Sequence, residues 1–549
     1  MSYLDIVSEL QTAFPQPVSD RLHDSYFVFS FMRALDQLDA MKSVKPLLGQ
    51  PIELDYDSAR QRRMEDAPHS VEEVSEELVG YLSGMFIWGH PRSQINVGPS
   101  PTIPSVIGGL LPSIYNPNLC SDESARGVVM AELESVAMTA DLVGYDPQRA
   151  GGLFTFGGTG TSLYGAKIGL EKACPGTMTH GIREPAHLLC STQAHYACQT
   201  VAGWMGLGHQ NVVHVPSDPE NAIRPCLLET HCRALLDRGE KIAVIVATMG
   251  TTDAFGLDDL QTIYDLREQL ISDYDLDYRP HIHADAVIGW AWSVFNDYDF
   301  ETNPLAFPPR TIRSLAGTRR RIQHLHLADS IGIDFHKTGF APYVSSLFLC
   351  KDAGDLKLIT RDEETTPYLF QSGKYHPGKY TLETTRSGSG PMAALANLRL
   401  FGKDGLRSLL GHLVSMAESL REHLDSHPAI HVLNGKNFGP VTLFRVYPDD
   451  VDTFSFPDRE QSDARHREQL LQYNDYNRRV FELIQDEALQ GRGVVLSLTD
   501  CYRETDYGEP IVALKSYIMS PFSTEWYAGQ VLESVLRARE LVAQDCQPE

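Results

Sequence analysis

The sequence has no CxxC pair, and nine cysteines over 549 residues are too sparse for a disulfide framework, so a reducing compartment is expected. Cys190 and Cys198 are read as reduced, packed thiols. No window approaches the roughly eighteen consecutive apolar residues of a membrane-spanning helix, and spanning is not expected. Met1-Ser2-Tyr3-Leu4-Asp5 lacks a basic stretch followed by an apolar one, so export is not expected and a cytoplasmic location is. A basic surplus is missing too. Against 47 Lys and Arg stand 72 Asp and Glu, a formal charge of -25, which argues against nucleic acid or anionic membrane as partners, since both are held by clustered cations. There are no internal repeats.

What is present is an ordinary globular composition, 42% hydrophobic and 22% charged, with core enough for two or three domains. Residues 1–85 read as amphipathic helices, at 24–35 and 71–82, that cannot bury much of themselves and should pack on the main domain or a partner subunit. The Pro- and Gly-dense stretch from Gly89 to Pro101 reads as a binding loop or a linker. Between Gly152 and Cys350, β-branched runs alternate with helical patterns, at 153–156, 188–191, 211–215, 242–247, 281–285, 330–334 and 345–349. Several are apolar throughout, as strands covered on both faces require, so residues 86–404 are expected to form a large α/β domain with a mostly parallel sheet. Ligands in such sheets bind at the carboxyl ends of strands. Residues 405–549 read as a smaller α/β domain, with helices at 406–424 and 468–490, strands at 441–446 and 493–497, and a surface excursion from Tyr447 to Arg465.

Four features at strand ends carry chemistry. Phe154-Thr155-Phe156-Gly157-Gly158-Thr159-Gly160-Thr161-Ser162 joins a strand to a helix start through glycines and hydroxyls. That pattern suits a phosphate seat or a capped helix, and without a following GK[ST] it is not a P-loop. His195, in Gln-Ala-His-Tyr-Ala, is suited to stacking on a flat ligand or to packing. Asp285 sits in the apolar setting His283-Ala284-Asp285-Ala286-Val287-Ile288-Gly289, where an ionised carboxylate needs a cation or donor. Lys337, 52 residues on, ends Asp329-Ser330-Ile331-Gly332-Ile333-Asp334-Phe335-His336-Lys337, where desolvation is expected to push it toward the nucleophilic neutral amine. Phosphate seat, ring stacker, pyridinium partner and Schiff-base lysine are what pyridoxal phosphate requires of a protein. The pairs His281/His283 and His324/His326 alternate along strand patterns without a carboxylate completing a ligand set, so no metal site is assigned.

In this order and spacing, over roughly His90 to Phe401, the sequence resembles the group II pyridoxal phosphate-dependent amino acid decarboxylases of fold type I. The resemblance implies that Lys337 carries the cofactor with His336 beside it, that Asp285 keeps the ring nitrogen protonated, and that His195 stacks on the ring. It implies phosphate contacts from Gly158, Thr159, Gly160, Thr161 and Ser162, a Thr252 near the ring substituents, and Ser345 or Ser346 reaching the phosphate site of the other subunit of a homodimer. Val287 stands where the family often has Ala, and Gly160-Thr161 replaces the commoner Glu-Ala. A loop tyrosine, Tyr368 first and Tyr375 second, would return a proton to the substrate carbon.

The implied reaction is decarboxylation of an L-amino acid to its amine. Two alternatives stand beside it: aldehyde-forming oxidative deamination, if Phe370 holds the tyrosine position, and carbon-carbon cleavage of the sphingosine phosphate lyase type. A catalytically silent binding protein on the same fold is a further possibility. Substrate contacts are assigned to the entrance loop, with Asn96, and to Arg386, which serves either an acidic substrate group or the loop itself.

Overall fold

The structure is a computed structural model that describes residues 2–361 and 373–545. Its centre is a seven-stranded sheet made of β1 (Gly151–Thr155), β2 (Ala186–Ser191), β3 (Val212–Val215), β4 (Lys241–Thr248), β5 (His281–Asp285), β6 (Ser330–Asp334) and β7 (Ser346–Cys350). The strand order is β1-β7-β6-β5-β4-β2-β3. All neighbours from β3 to β6 are parallel, while β7 runs antiparallel to both β6 and β1. Every residue of β1, β2, β5, β6 and β7 is buried, as strands covered on both faces are. The carboxyl ends of β1, β4, β5 and β6 share one edge.

The helix Gly158–Ala173 leaves β1 directly and lies across the sheet. A β-carbon at Gly165 would stand 2.4 Å from His283 Nδ1, and one at Gly169 2.5 Å from Val244 Cγ2. Glycine costs about 1 kcal/mol in a helix interior, and here it permits a backbone approach that alanine would block.

A second, antiparallel sheet is formed by β8 (Ile430–Val432), β9 (Val441–Val446), β10 (Ser497–Glu504) and β11 (Pro510–Tyr517), in the order β10-β11-β9-β8. The strand expected at 493–497 in fact starts at Ser497. Tyr447–Arg465 is not a mere excursion either. It contains the helix Phe456–Ser462, whose Glu460 is buried and meets Arg445 at 3.0 Å and the Tyr447 hydroxyl at 2.5 Å. Acidic and proline residues suggested solvent, but the cation that holds Glu460 inside lies on β9. A 37-residue helical stretch, Ser389–Asp425, is broken at Gly402, whose φ of 54° suits glycine.

In the N-terminal region, helices Arg21–Met41 and Val71–Gly80 pack on each other through Arg33–Glu76 (2.9 Å) and Tyr26–Glu72 (3.2 Å). Neither contains a buried residue. Val28, Phe29 and Met32 remain exposed. Among the described residues no helix is long and apolar enough to cross a membrane.

Candidate active site

The strand ends bring the expected residues to one place. Gly158 starts the helix after β1, and a β-carbon there would lie 3.1 Å from both Asp334 Oδ2, at the end of β6, and Val287 Cγ1, two residues beyond Asp285. The helix N-terminus has no side-chain cap, leaving first-turn N-H groups for an anion. Thr161 Oγ1 and Ser162 Oγ donate to the Gly158 carbonyl, at 2.7 and 3.2 Å, so these hydroxyls shape the loop. Gly160 fits under Thr155, whose Oγ1 would lie 2.7 Å from an added β-carbon. Thr159 completes the first turn.

Lys337 differs from expectation in its charge. Burial is the largest single influence and acts to deprotonate it, but Asp334, whose Oδ2 lies 2.7 Å from Nζ, together with Asp285 and Tyr343 outweighs it and holds the ammonium above the ordinary lysine range. Asp334, 1% exposed, has its other oxygen bonded by Ser346 Oγ at 2.6 Å. His336 Nε2 stands 3.6 Å from Asp334, and its Nδ1 receives the Ser345 N-H at 3.3 Å. An acid three residues before a strand-end lysine was the available signal for Asp334.

Asp285 is buried, and its Oδ1 has no hydrogen-bond partner among the described residues. Burial pushes its carboxyl up, and Lys337 and His195 pull it back in part. Such an oxygen calls for an N-H donor or cation, which is what a protonated pyridine nitrogen presents. His195 sits on the loop after β2 with Nδ1 accepting from the Ala197 N-H at 3.2 Å. Burial depresses its pKa, so a neutral imidazole faces the site.

Ser345 Oγ donates to the Gly390 carbonyl at 2.9 Å and Ser346 Oγ to Asp334 Oδ1 at 2.6 Å, so the proton of each buried hydroxyl is used within its own chain. Of the two roles open to Arg386, its contacts are those of the structural one. It forms a fork on fully buried Glu132, with N-O distances of 2.7 to 2.9 Å, and also donates to the Phe154 and Leu119 carbonyls. Tyr375 joins that cluster, with its hydroxyl 3.4 Å from Glu132, and does not occupy a free loop. Tyr368 and Phe370 lie outside the described residues. His281 Nε2 and His283 Nδ1 both meet Ser330 Oγ at 2.8 Å, a hydrogen-bonded chain, and no metal-binding group of three occurs among the described residues.

The entrance loop is fastened to the small sheet: the Gln94 N-H donates to Val495 O at 2.9 Å and Ser516 Oγ to Gln94 Oε1 at 2.6 Å. Asn96 is exposed there, its Oδ1 accepting from the Val97 N-H. Next to Thr252, Asp253 receives Lys515 Nζ from β11 at 2.6 Å and Thr499 Oγ1 at 3.0 Å. Lys515 escaped sequence reasoning, since a lysine inside an apolar run gives no local sign of its distant partner. Beside the glycine loop, a cavity of about 770 Å³ is lined by Phe156, Tyr343, Val344 and Val106. It borders the helix Ile103–Tyr115, on which Ile103, Ile107, Leu111 and Tyr115 are exposed.

Comparison with known proteins agrees with this geometry. The profile of the pyridoxal-dependent decarboxylase conserved domain matches residues 56–446. L-2,4-diaminobutyrate decarboxylase of Acinetobacter baumannii is 26% identical over 66% of this chain and 68% of its own length. Acidic amino acid decarboxylase GADL1 of Bos taurus is 22% identical over 63% and 61%. The structure of Oryza sativa TDC with PLP and tryptamine superposes with a TM-score of 0.76 at 15% identity, covering 96% of this chain and 99% of that one. With the profile spanning most of the chain and the strand-end residues gathered as a fold type I site requires, this chain belongs to the pyridoxal-dependent decarboxylase family, whose cofactor is pyridoxal phosphate.

Proposed function

We propose that the chain decarboxylates an L-amino acid to the corresponding amine and CO2, as a homodimer in the cytoplasm. The observation that carries this reading is the unpartnered, buried Oδ1 of Asp285, a carboxylate that interacts with Lys337 at the strand ends where Gly158 meets Asp334 and Val287. When bound, pyridoxal phosphate supplies a sink for the electron pair released as the α-carboxylate leaves. Asp285 holds the proton on its ring nitrogen, a role in which the cost of burying the carboxylate is offset by the pairing. His195 covers the ring, Thr252 flanks it, the Gly158–Ser162 turn seats the phosphate, and Lys337 is the covalent attachment point. Tyr368 returns the proton to the substrate carbon.

Two features support the dimer: the exposed apolar face of Ile103–Tyr115 beside the cavity lined by Phe156, Tyr343 and Val344, and the N-terminal helices without a buried residue. Contiguous apolar surface of this kind marks an interface. The boundaries near residues 85 and 404 divide the chain into an N-terminal dimerisation segment, a cofactor domain and a small domain.

A panel of L-amino acids, including 2,4-diaminobutyrate, acidic and aromatic members, scored for amine and CO2 with Lys337→Ala as the blank, tests the reading. One substrate turned over by the wild type and by no Lys337 variant is expected. Turnover that survives Lys337→Ala overturns it. Parallel aerobic and anaerobic assays for hydrogen peroxide and aldehyde separate the oxidative alternative.

A further inference from the structure

We propose that Asp334 is a positioning residue, the counter-ion that keeps Lys337 protonated and fixed beside the glycine loop while the cofactor is absent. The inference deepens the assignment of Lys337 made above, but its test needs neither cofactor nor substrate.

The geometry is specific. Asp334 Oδ2 is 2.7 Å from Lys337 Nζ, and the two residues are three apart at the turn that ends β6. Ser346 Oγ fixes Oδ1 at 2.6 Å, and Trp290 Nε1 donates to the Asp334 backbone carbonyl at 3.3 Å, so the carboxylate is held from β7 and the backbone that carries it from Trp290. It is 1% exposed, while a fifth of the Lys337 side chain remains accessible. An opposite charge at this range in a site shielded from water raises an ammonium pKa by one to three units or so. The other titratable groups facing the pair are Asp285 from β5, His195 from the loop after β2, His336 on the same turn, and Tyr343 on the loop leading to β7. Asp285 is a second carboxylate acting in the same direction, and His195 and His336 are held neutral by burial. The pair therefore masks the amine. In the cofactor-free protein Lys337 is a poor nucleophile near neutral pH, although its location on a buried strand end suggests the reverse.

The experiment is trace acylation of the full-length chain, freed of bound aldehyde with hydroxylamine, using acetic anhydride over a pH series. Modification of each lysine is read by peptide mass spectrometry. Exposed Lys436 and the Lys172–Asp355 pair, 2.6 Å apart and outside the site, serve as references. In the wild type the labelling midpoint of Lys337 should lie above that of Lys436. In Asp334→Asn, which keeps an acceptor for Ser346, the Lys337 midpoint should fall by at least one pH unit. That is roughly tenfold more labelling at a fixed pH below both midpoints, with Lys172 and Lys436 unchanged. A Lys337 midpoint unmoved by Asp334→Asn overturns the proposal. So does a wild-type midpoint at or below that of Lys436, a result that stands even if the variant fails to fold. A merely structural role for Asp334 would change stability and leave the midpoint in place. Failure of the decarboxylase reading would leave these midpoints as expected.

Discussion

Replacing Arg386 by Met should destabilise the protein severely and affect catalysis only through that loss. Glu132 is fully buried, and Arg386 supplies both nitrogens of its fork to it. The Phe154 N-H, at 2.9 Å, is the other strong donor to the carboxylate. Removing the guanidinium strands a carboxylate in the interior, and breaking such a pair costs about 3–5 kcal/mol. With an unfolding entropy of about 2.1 cal/mol/K per residue, cooperative melting of a chain this long turns that loss into a fall in Tm of about 3–4 °C. The companion variant Glu132→Leu with Arg386→Met removes both charges and should recover most of the loss, because exchanging a buried pair for apolar groups is often close to neutral. Differential scanning calorimetry of the two variants, with kcat and KM measured well below Tm, makes the comparison. If Arg386 instead grips a substrate carboxylate, the single variant will keep its Tm and show a raised KM for one class of amino acid. That result would refute the structural assignment.

Asp285→Asn should abolish turnover and yet stabilise the cofactor-free protein. Burial raises the folded pKa of Asp285 above its unfolded value of 3.8, so what it contributes to stability is present below that value and lost as pH rises through the folded one. The variant's advantage in urea melts should accordingly grow from pH 4 to pH 8. His281 and His283 give the opposite trend. Burial depresses them to about 3 and about 4, so the unfolded chain takes up protons first, and stability should decline as pH falls from 6.5 toward 4. His283 alone accounts for about 3 kcal/mol of that decline, and a His283→Asn variant should show a shallower slope in the same melts. Gly165→Ala should lower the denaturant midpoint by the equivalent of about 1–3 kcal/mol, since the added methyl drives into the His283 ring, whereas at an unpacked helix position it would raise it.

The seven strands of the main sheet were legible because short apolar and β-branched runs, purest in β4, alternate with helical patterns, and strand-end chemistry places glycines, Asp285 and Lys337 where parallel sheets bind ligands. What escaped was pairing at a distance. Arg386 gives no hint of Glu132, 254 residues away, and Lys515 none of Asp253. The acidic stretch after Tyr447 misled for the same reason: its Glu460 is an interior residue only because Arg445 is. Polar side chains are read by composition as surface, and only the fold supplies the partner that lets them be buried.

The antiparallel β7 has a consequence for how this site can vary. Ser346 is paired with Thr155 on one side and Asp334 on the other, so the strand that bears the glycine turn and the strand that bears the lysine never touch each other. Their relative height is set by one interposed segment of five residues acting as a spacer gauge. Because sheet register moves in steps of about 3.3 Å and each step turns a side chain to the opposite face, the span from phosphate seat to amine cannot be tuned gradually by substitutions in β7. A lineage could reshape the mouth of the pocket freely, but it would inherit this span as a fixed unit.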